Sequence, residues 1–282
     1  MKRGVDQIGV YSLTEKTISD FGDQWSKYTD NQGWYGSIDL FKDMVNPILD
    51  LDTINGSCVI DIGSGTGRIV GMLLDAGVHH VYAVEPSHEA FRILTMNIKA
   101  MNRGEHVTPI HATGDRFELN EQVDCAFSIG VLHHIPDPIA VVQHVYDALK
   151  PGGFFFIWLY AYEGNTTYVK FLEPIRRITT KLPHRFLTWL AELFYYALSC
   201  YKIVCEFVTL PLCSYIKNVL WPMSPAKRRL VIYDQLNPSF SKYYTKEEAV
   251  NLLECVGFTN IRIHHRHGYS WSVIGYKPNS NC

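Results

Sequence analysis

The sequence predicts an α/β fold built on a doubly wound, mostly parallel sheet. Three observations predict it. Apolar runs of strand length alternate with segments of helical spacing four times between residues 57 and 160. The first run, Val59-Ile60-Asp61-Ile62, stops at a loop with glycines at 63, 65 and 67. Close to the C-terminus two short runs flank Gly268, which reads as an antiparallel pair at the sheet edge.

The elements follow in order. Residues 1–45 are polar and aromatic and read as an N-terminal helical cap, with FGDQWSKYTDNQGWYG at their centre. Strand one is expected at Ser57–Ile62, and Gly67–Ala76 has helical spacing. Strand two, His79–Val84, ends at Glu85, and Ser87 is placed to cap a helix that runs to Met101. Strand three is His106–His111 and strand four Val123–Ile129, with a helix over Asp137–Leu149. Pro151-Gly152-Gly153 reads as a turn before FFFIWLY (Phe154–Tyr160), a fifth strand apolar enough to be buried on both faces. Thr245 and Glu248 form a capping box on a helix ending near Gly257. Thr259–His265 and Ser270–Tyr276 bring the strands to seven. The core is thus expected over 46–162 and 236–282, interrupted by a helical insertion or lid over 163–235.

Composition narrows the class. Apolar residues make up 47% of 282 residues, so a full core is available. The net charge of −2 gives no general nucleic-acid signal. Seven cysteines with no C-x-x-C pair suggest reduced thiols rather than a disulfide framework or a zinc site. The first residues, MKRGVDQIGVYSLTEK, contain no apolar stretch of signal-peptide length, and a cytoplasmic protein is expected.

The glycine loop departs from dinucleotide spacing. G-x-G-x-x-G would place a glycine where Arg68 stands. Asp61, two positions before the first glycine, would repel a pyrophosphate and suits a ligand with an ammonium group. Glu85 stands where an acid accepts from ribose hydroxyls. Asp115, after the third strand, can accept from the amine of adenine. An amino-acid head, a ribose and an adenine are the parts of S-adenosylmethionine.

DIGSGTGR, VEPS, GDRFEL and SIGVLHHIPDP, followed by LKPGGFFFIW, resemble the successive motifs of class I S-adenosylmethionine-dependent methyltransferases. The resemblance runs over about 57–160 and resumes over about 243–277. It implies a Rossmann-like seven-stranded sheet, with Gly63, Ser64 and Gly65 against the methionine moiety and Asp61 orienting its amino group through the loop or water. It also implies Glu85 on the ribose, Pro86 beside the adenine, Asp115 on the adenine amine with Arg116 nearby, and Ile129 and Gly130 bordering the transfer centre. An N-terminal helix over the cofactor is usual in this superfamily, and Tyr28 could cover the sulfonium by a cation–π contact.

Methyl transfer needs positioning and dehydration of the acceptor, and a base only where the nucleophile must lose a proton. Candidate catalytic residues are His133, after strand four, and Glu163, after strand five. His134, Tyr162, Asn165 and Trp25 are candidate substrate contacts, and Asp234 and Tyr244 are candidates to return to the pocket. His264, His265 and His267 alternate along a strand with no acid or cysteine beside them, so no metal site is expected.

The insertion carries ten Lys or Arg against three acids over 164–230, seven net positive charges, together with the apolar stretches LFYYALSCY and FVTLPLCSYI. This suits a lid, a dimer interface, or peripheral contact with the inner face of a membrane or a lipid-like substrate. The expected acceptor is a small molecule, sugar or lipid-linked metabolite of bacterial type, methylated at oxygen. An NAD-linked oxidoreductase, an RNA methyltransferase docking through the insertion, and a non-catalytic S-adenosylmethionine-binding module are the alternatives.

Overall fold

A computed structural model describes residues 7–27, 29–120, 122–180 and 182–279. Seven strands form one sheet in the order β3-β2-β1-β4-β5-β7-β6. They are β1 (Cys58–Ile62), β2 (His80–Val84), β3 (Val107–Ile110), β4 (Val123–Ile129), β5 (Leu149–Tyr160), β6 (Thr259–Arg266) and β7 (Ser270–Tyr276). The first five pair in parallel, and β7 runs antiparallel between β5 and β6. This is the sheet that the resemblance implies. The order reverses at β1, where β2 and β4 lie on opposite sides, and the crevice beyond the strand ends opens there.

Alternation along the strands supplies two cores. Phe127, Phe154 and Phe156 face one side, where they meet Phe41 of α2 (Ile38–Val45) and Leu73 of α3 (Arg68–Asp75). Ala126, Phe155 and Ile157 face the other, against Val142 of α5 (Ile139–Ala148) and Leu253 of α10 (Lys246–Glu254). Pro109 sits in β3, an edge strand, where a missing N–H costs no ladder bond.

Helix starts follow their side chains. Ser87 caps α4 (His88–Ala100) by accepting from Ala90 N–H, and Thr245 and Glu248 form the complete capping box of α10. One boundary differs from expectation. β5 begins at Leu149 rather than Phe154, and its register on β4 jumps from Val123–Leu149 to Cys125–Phe154. The expected Pro-Gly-Gly turn is therefore a bulge inside a longer strand.

Outside the sheet, α1 (Gln7–Lys27) lies on α4. Between β5 and α10 stand α6 (Thr166–Thr179), α7 (His184–Val204), the short α8 (Cys213–Tyr215) running into a π-turn at Ile216–Leu220, and α9 (Pro225–Leu236). α7 packs on α9 through Leu187, Ala191, Ile232, Tyr233 and Leu236. Among the described residues no helix is long and apolar enough to cross a membrane. The expectation of reduced thiols throughout is corrected here. The turn after α7 brings Cys205 and Cys213 to a Cα separation of 5.7 Å, and they are joined as a disulfide.

Phe127 is fully buried and its ring meets Phe41, Phe154 and Phe156 at centroid distances of 5.7, 6.0 and 5.7 Å. Phe127→Ala is expected to cost roughly 3–5 kcal/mol of stability by cavity formation, read as a lower urea midpoint with an unchanged denaturant slope.

Candidate active site

The glycine loop leaves β1 with Gly63 at φ +76°, and a Cβ there would come within 2.5 Å of the Val131 side chain. Only glycine keeps the β1 and β4 ends this close. Gly65 then turns at φ +55° beneath the Trp25 indole of α1. The carboxylate of Glu85, at the end of β2, holds the loop. One oxygen accepts from Gly65 N–H and the other from Ser87 N–H, both at 2.8 Å. Each oxygen keeps a lone pair for a further donor.

Burial dominates the electrostatics of this end. It pushes the Glu85 carboxyl up to about 7, against the two backbone donors that pull it down. Asp61 is also pushed up to about 7 by burial, against Ser64 and the Arg68 charge. Its Oδ2 is buried without a hydrogen-bond partner among the described residues. A buried carboxylate oxygen with an open valence fits a cationic ligand group. Asp115, half-buried, lines the same space beside Arg116, whose backbone N–H is already bonded to the Thr113 carbonyl at 3.0 Å.

These residues open onto a cavity of about 1560 Å³. Gly63, Ser64, Gly65, Glu85, Pro86, Asp115, Arg116, Ile129 and Gly130 line it. So do Trp25, His134, Asn165 and Asp234. Tyr28 falls outside the described residues. Asp61 lies just behind the lining, at the loop's root.

The two catalytic candidates do not reach the cavity. His133 is fully buried, stacked on Tyr160 at 3.8 Å, and burial holds its imidazole far below the usual range. It is a neutral packing residue. Glu163 accepts from Lys246 N–H at the start of α10, and its backbone carbonyl meets His265. Tyr162 is exposed outside the cavity, with its backbone bonded to Tyr244. Tyr244 is buried under the sheet and takes the Trp271 indole N–H on its carbonyl. Asn165 lines the cavity, yet both bonds of its amide go to the Ala161 and Tyr269 carbonyls. His134 is pushed down to about 4 by burial and is held by the Phe240 carbonyl at 2.9 Å.

A polar cluster, of which the sequence singles out only Asp234, sits past the end of β5. Gln24 of α1 donates to Asp234 Oδ1 at 2.8 Å, and the Tyr160 hydroxyl reaches Asp234 Oδ2 at 3.4 Å. Gln235 donates to the Tyr160 oxygen at 2.8 Å and accepts from Tyr168 at 3.1 Å. All five line the cavity. In sheet order Gly130, at the end of β4, stands between the glycine loop and this cluster. The sequence exposes it only through Asp234 and the strand-end position of Tyr160, because Gln24 and Asp234 come from helices 136 residues upstream and 74 downstream of that strand end.

Residues 38–210 match the family model described as a methyltransferase domain. The chain belongs to this family. Curated relatives of the methyltransferase include the tRNA U34 carboxymethyltransferase of Idiomarina loihiensis, 27% identical over 123 residues, covering 42% of this chain and 38% of that protein. A ubiquinone biosynthesis O-methyltransferase of a Shewanella species is 30% identical over 105 residues, covering 36% of this chain and 43% of that protein. The matches thus span less than half of each relative. Among solved structures, an S-adenosylmethionine-dependent methyltransferase of Methanosarcina mazei superposes with TM-score 0.52 at 18% identity, covering 84% of this chain and 99% of that one. One from Thermotoga maritima gives 0.51 at 15% identity, covering 93% and 99%. These likenesses concern the fold. S-adenosylmethionine is the cofactor of the methyltransferase, and the unpartnered Asp61 oxygen and the Glu85-held loop fit its cationic head and its ribose.

The raised carboxyls give a signed pH effect in the cofactor-free protein. The folded state retains protons that the unfolded chain releases above about pH 4, so the stability they contribute is present at low pH and lost as pH rises towards 7. His134, with its pKa lowered to about 4, acts in the opposite sense, since stability falls as pH drops through the ordinary histidine range. Comparison with Asp61→Asn isolates the acid. The Tm advantage of that variant over the parent should grow by at least about 3 °C, equivalent to roughly 1 kcal/mol in a chain of this size, between about pH 5 and pH 7.5. A constant difference across this window would contradict the assignment.

Proposed function

We propose that this S-adenosylmethionine-dependent methyltransferase methylates a hydroxyl of a small acceptor with a substantial apolar portion, such as a lipid-linked metabolite. The observation that carries the reading is the Asp234 cluster, a polar anchor in a cavity whose insertion-side wall is largely apolar. Phe194, Leu198, Ile216, Val219, Leu220 and Met223, all from the insertion, line it. Its volume exceeds the roughly 300–1,000 Å³ usual for a single small-molecule site, leaving room for an acceptor beside the cofactor.

The cofactor, when bound, supplies a methyl group on a positively charged sulfur. The chain's own residues do the rest. Asp61, behind the lining, would orient the amino group through the loop or a water, Glu85 would accept from the ribose hydroxyls, and Asp115 would accept from the adenine amine. Gln24 and Tyr160 fix the Asp234 carboxylate from two sides, so it is oriented before the acceptor arrives. Asp234 then accepts the hydroxyl proton as the oxygen–carbon bond forms and the carbon–sulfur bond breaks, its electron pair staying on sulfur. The apolar wall removes water from the nucleophile. His134 is neutral at pH 7 and contributes a surface for the acceptor, with no charge.

A second reading, methylation of RNA, draws on relatives named tRNA U34 carboxymethyltransferase. The two separate in one experiment. The protein is incubated with S-adenosylmethionine carrying a tritiated methyl group, and with either the lipid-soluble extract or the total RNA of the source cells. Label in the organic extract is expected, and label in RNA alone would overturn the proposal. With the labelled acceptor in hand, Asp234→Asn should lower kcat by about 10²-fold or more, the range of a lost general base, while calorimetric affinity for S-adenosylhomocysteine stays within about twofold. An unchanged kcat would remove Asp234 from the chemistry.

A further inference from the structure

α7 has two apolar faces, and the cavity uses only one. Leu187 and Ala191 pack inward, and Phe194 and Leu198 line the cavity. On the opposite face Phe186, Trp189, Leu193, Tyr196 and Ile203 are exposed, and so is Phe207 in the turn just after the helix, with Trp189 66% and Phe207 83% accessible. Phe186 to Tyr196 follow in steps of three and four and Ile203 stands two turns further on, so they form one stripe over about 25 Å of helix, which Phe207 continues past the helix end. A contiguous exposed apolar stripe on a folded protein marks a binding surface.

Charge selects the occupant. The segment 164–230 carries seven net positive charges, while the whole chain carries −2, so the remainder is strongly acidic. An anionic surface therefore attracts the insertion, which carries the α7 stripe, and repels the rest. Two copies meeting stripe to stripe would bring like-charged insertions together. Nucleic acid offers phosphates to the basic residues but nothing to Leu193, Ile203 and Val208, all more than half exposed. An anionic bilayer offers both. Aromatic rings such as Trp189 and Tyr196 suit the headgroup level, and the aliphatic side chains suit the acyl boundary beneath it.

We infer that the outer face of α7, extended through Phe207 and Val208, lies in the surface of an anionic membrane. The helix that contacts lipid is then the helix whose inner face walls the cavity, so an apolar acceptor need not cross water to reach Asp234. The surface is inferred independently of the acceptor's identity, and its test uses neither cofactor nor acceptor.

The test is co-sedimentation of the full chain with vesicles of phosphatidylcholine, with and without phosphatidylglycerol. Binding to the anionic vesicles should be at least about tenfold stronger than to the neutral ones, and should weaken as salt shortens the Debye length from about 10 Å. The pair Trp189→Ser and Phe207→Ser should reduce anionic binding about tenfold or more with unchanged Tm, both side chains being exposed. Met96→Ser, at an exposed residue of α4, should change nothing. Absence of vesicle binding, equal binding to neutral vesicles, or binding retained in the double variant would each overturn the inference. So would a dimer by sedimentation velocity, or tRNA binding, that the double variant abolishes, since the stripe would then belong to a second copy or to nucleic acid.

Discussion

The Glu85 carboxylate is the point on which the site depends. It ties three pieces of chain together: the end of β2, the glycine loop through Gly65, and the start of α4 through Ser87. Neither neighbouring glycine could hold this geometry alone, because each is free to take other conformations. The bridge comes at an electrostatic cost, since burial raises the carboxyl to about 7, and Asp61 beside it carries the same burden with an oxygen left over. Two buried acids with incomplete partners are what a fold keeps for a ligand with a positive charge and several donors.

Around this anchor the sheet order does the positioning. The reversal at β1 separates α3 from α5 and opens the crevice, so the ends of β1, β2, β4 and β5 face one cavity. The N-terminal helix closes it from above the loop with Trp25, and reaches across to Asp234 with Gln24. One helix thus touches both the proposed cofactor end and the proposed acceptor end. The insertion completes the remaining wall with aliphatic side chains, which makes the acceptor end drier than the cofactor end.

The sequence was most informative where function is carried by local backbone. The glycine loop, the Ser87 cap and the Thr245–Glu248 capping box are each set within a few residues, so local spacing located them, and Glu85 and Asp115 were legible as acids just past strand ends. The seven strands were legible because each is an apolar run bounded by turn residues; only the start of β5 was misplaced by more than one residue, since a bulge over Lys150–Gly153 has the composition of a turn. The acceptor end was not legible. His133 looked reactive after β4 and is a stacked core residue, because the Tyr160 ring that buries it comes from another strand. Glu163 looked like a base and caps α10, whose sequence begins more than 80 residues later. Asp234 was noticed as a residue that returns to the pocket, but its partners Gln24 and Tyr160 are joined to it only by the folded chain. The Cys205–Cys213 pair escaped for the same reason, because an eight-residue separation says nothing about the turn that closes it.

The proposal that Asp61 and Glu85 are held partly protonated for a cationic ligand has a direct measure, the proton balance of binding. S-adenosylmethionine is titrated calorimetrically near pH 6.5 in buffers of different ionisation enthalpy. Ionisation of carboxyls with pKa values of about 7 on meeting the ammonium group should release on the order of half to one proton per site. The release should shrink in Asp61→Asn. A binding enthalpy that does not vary with buffer, in the parent protein, would contradict it.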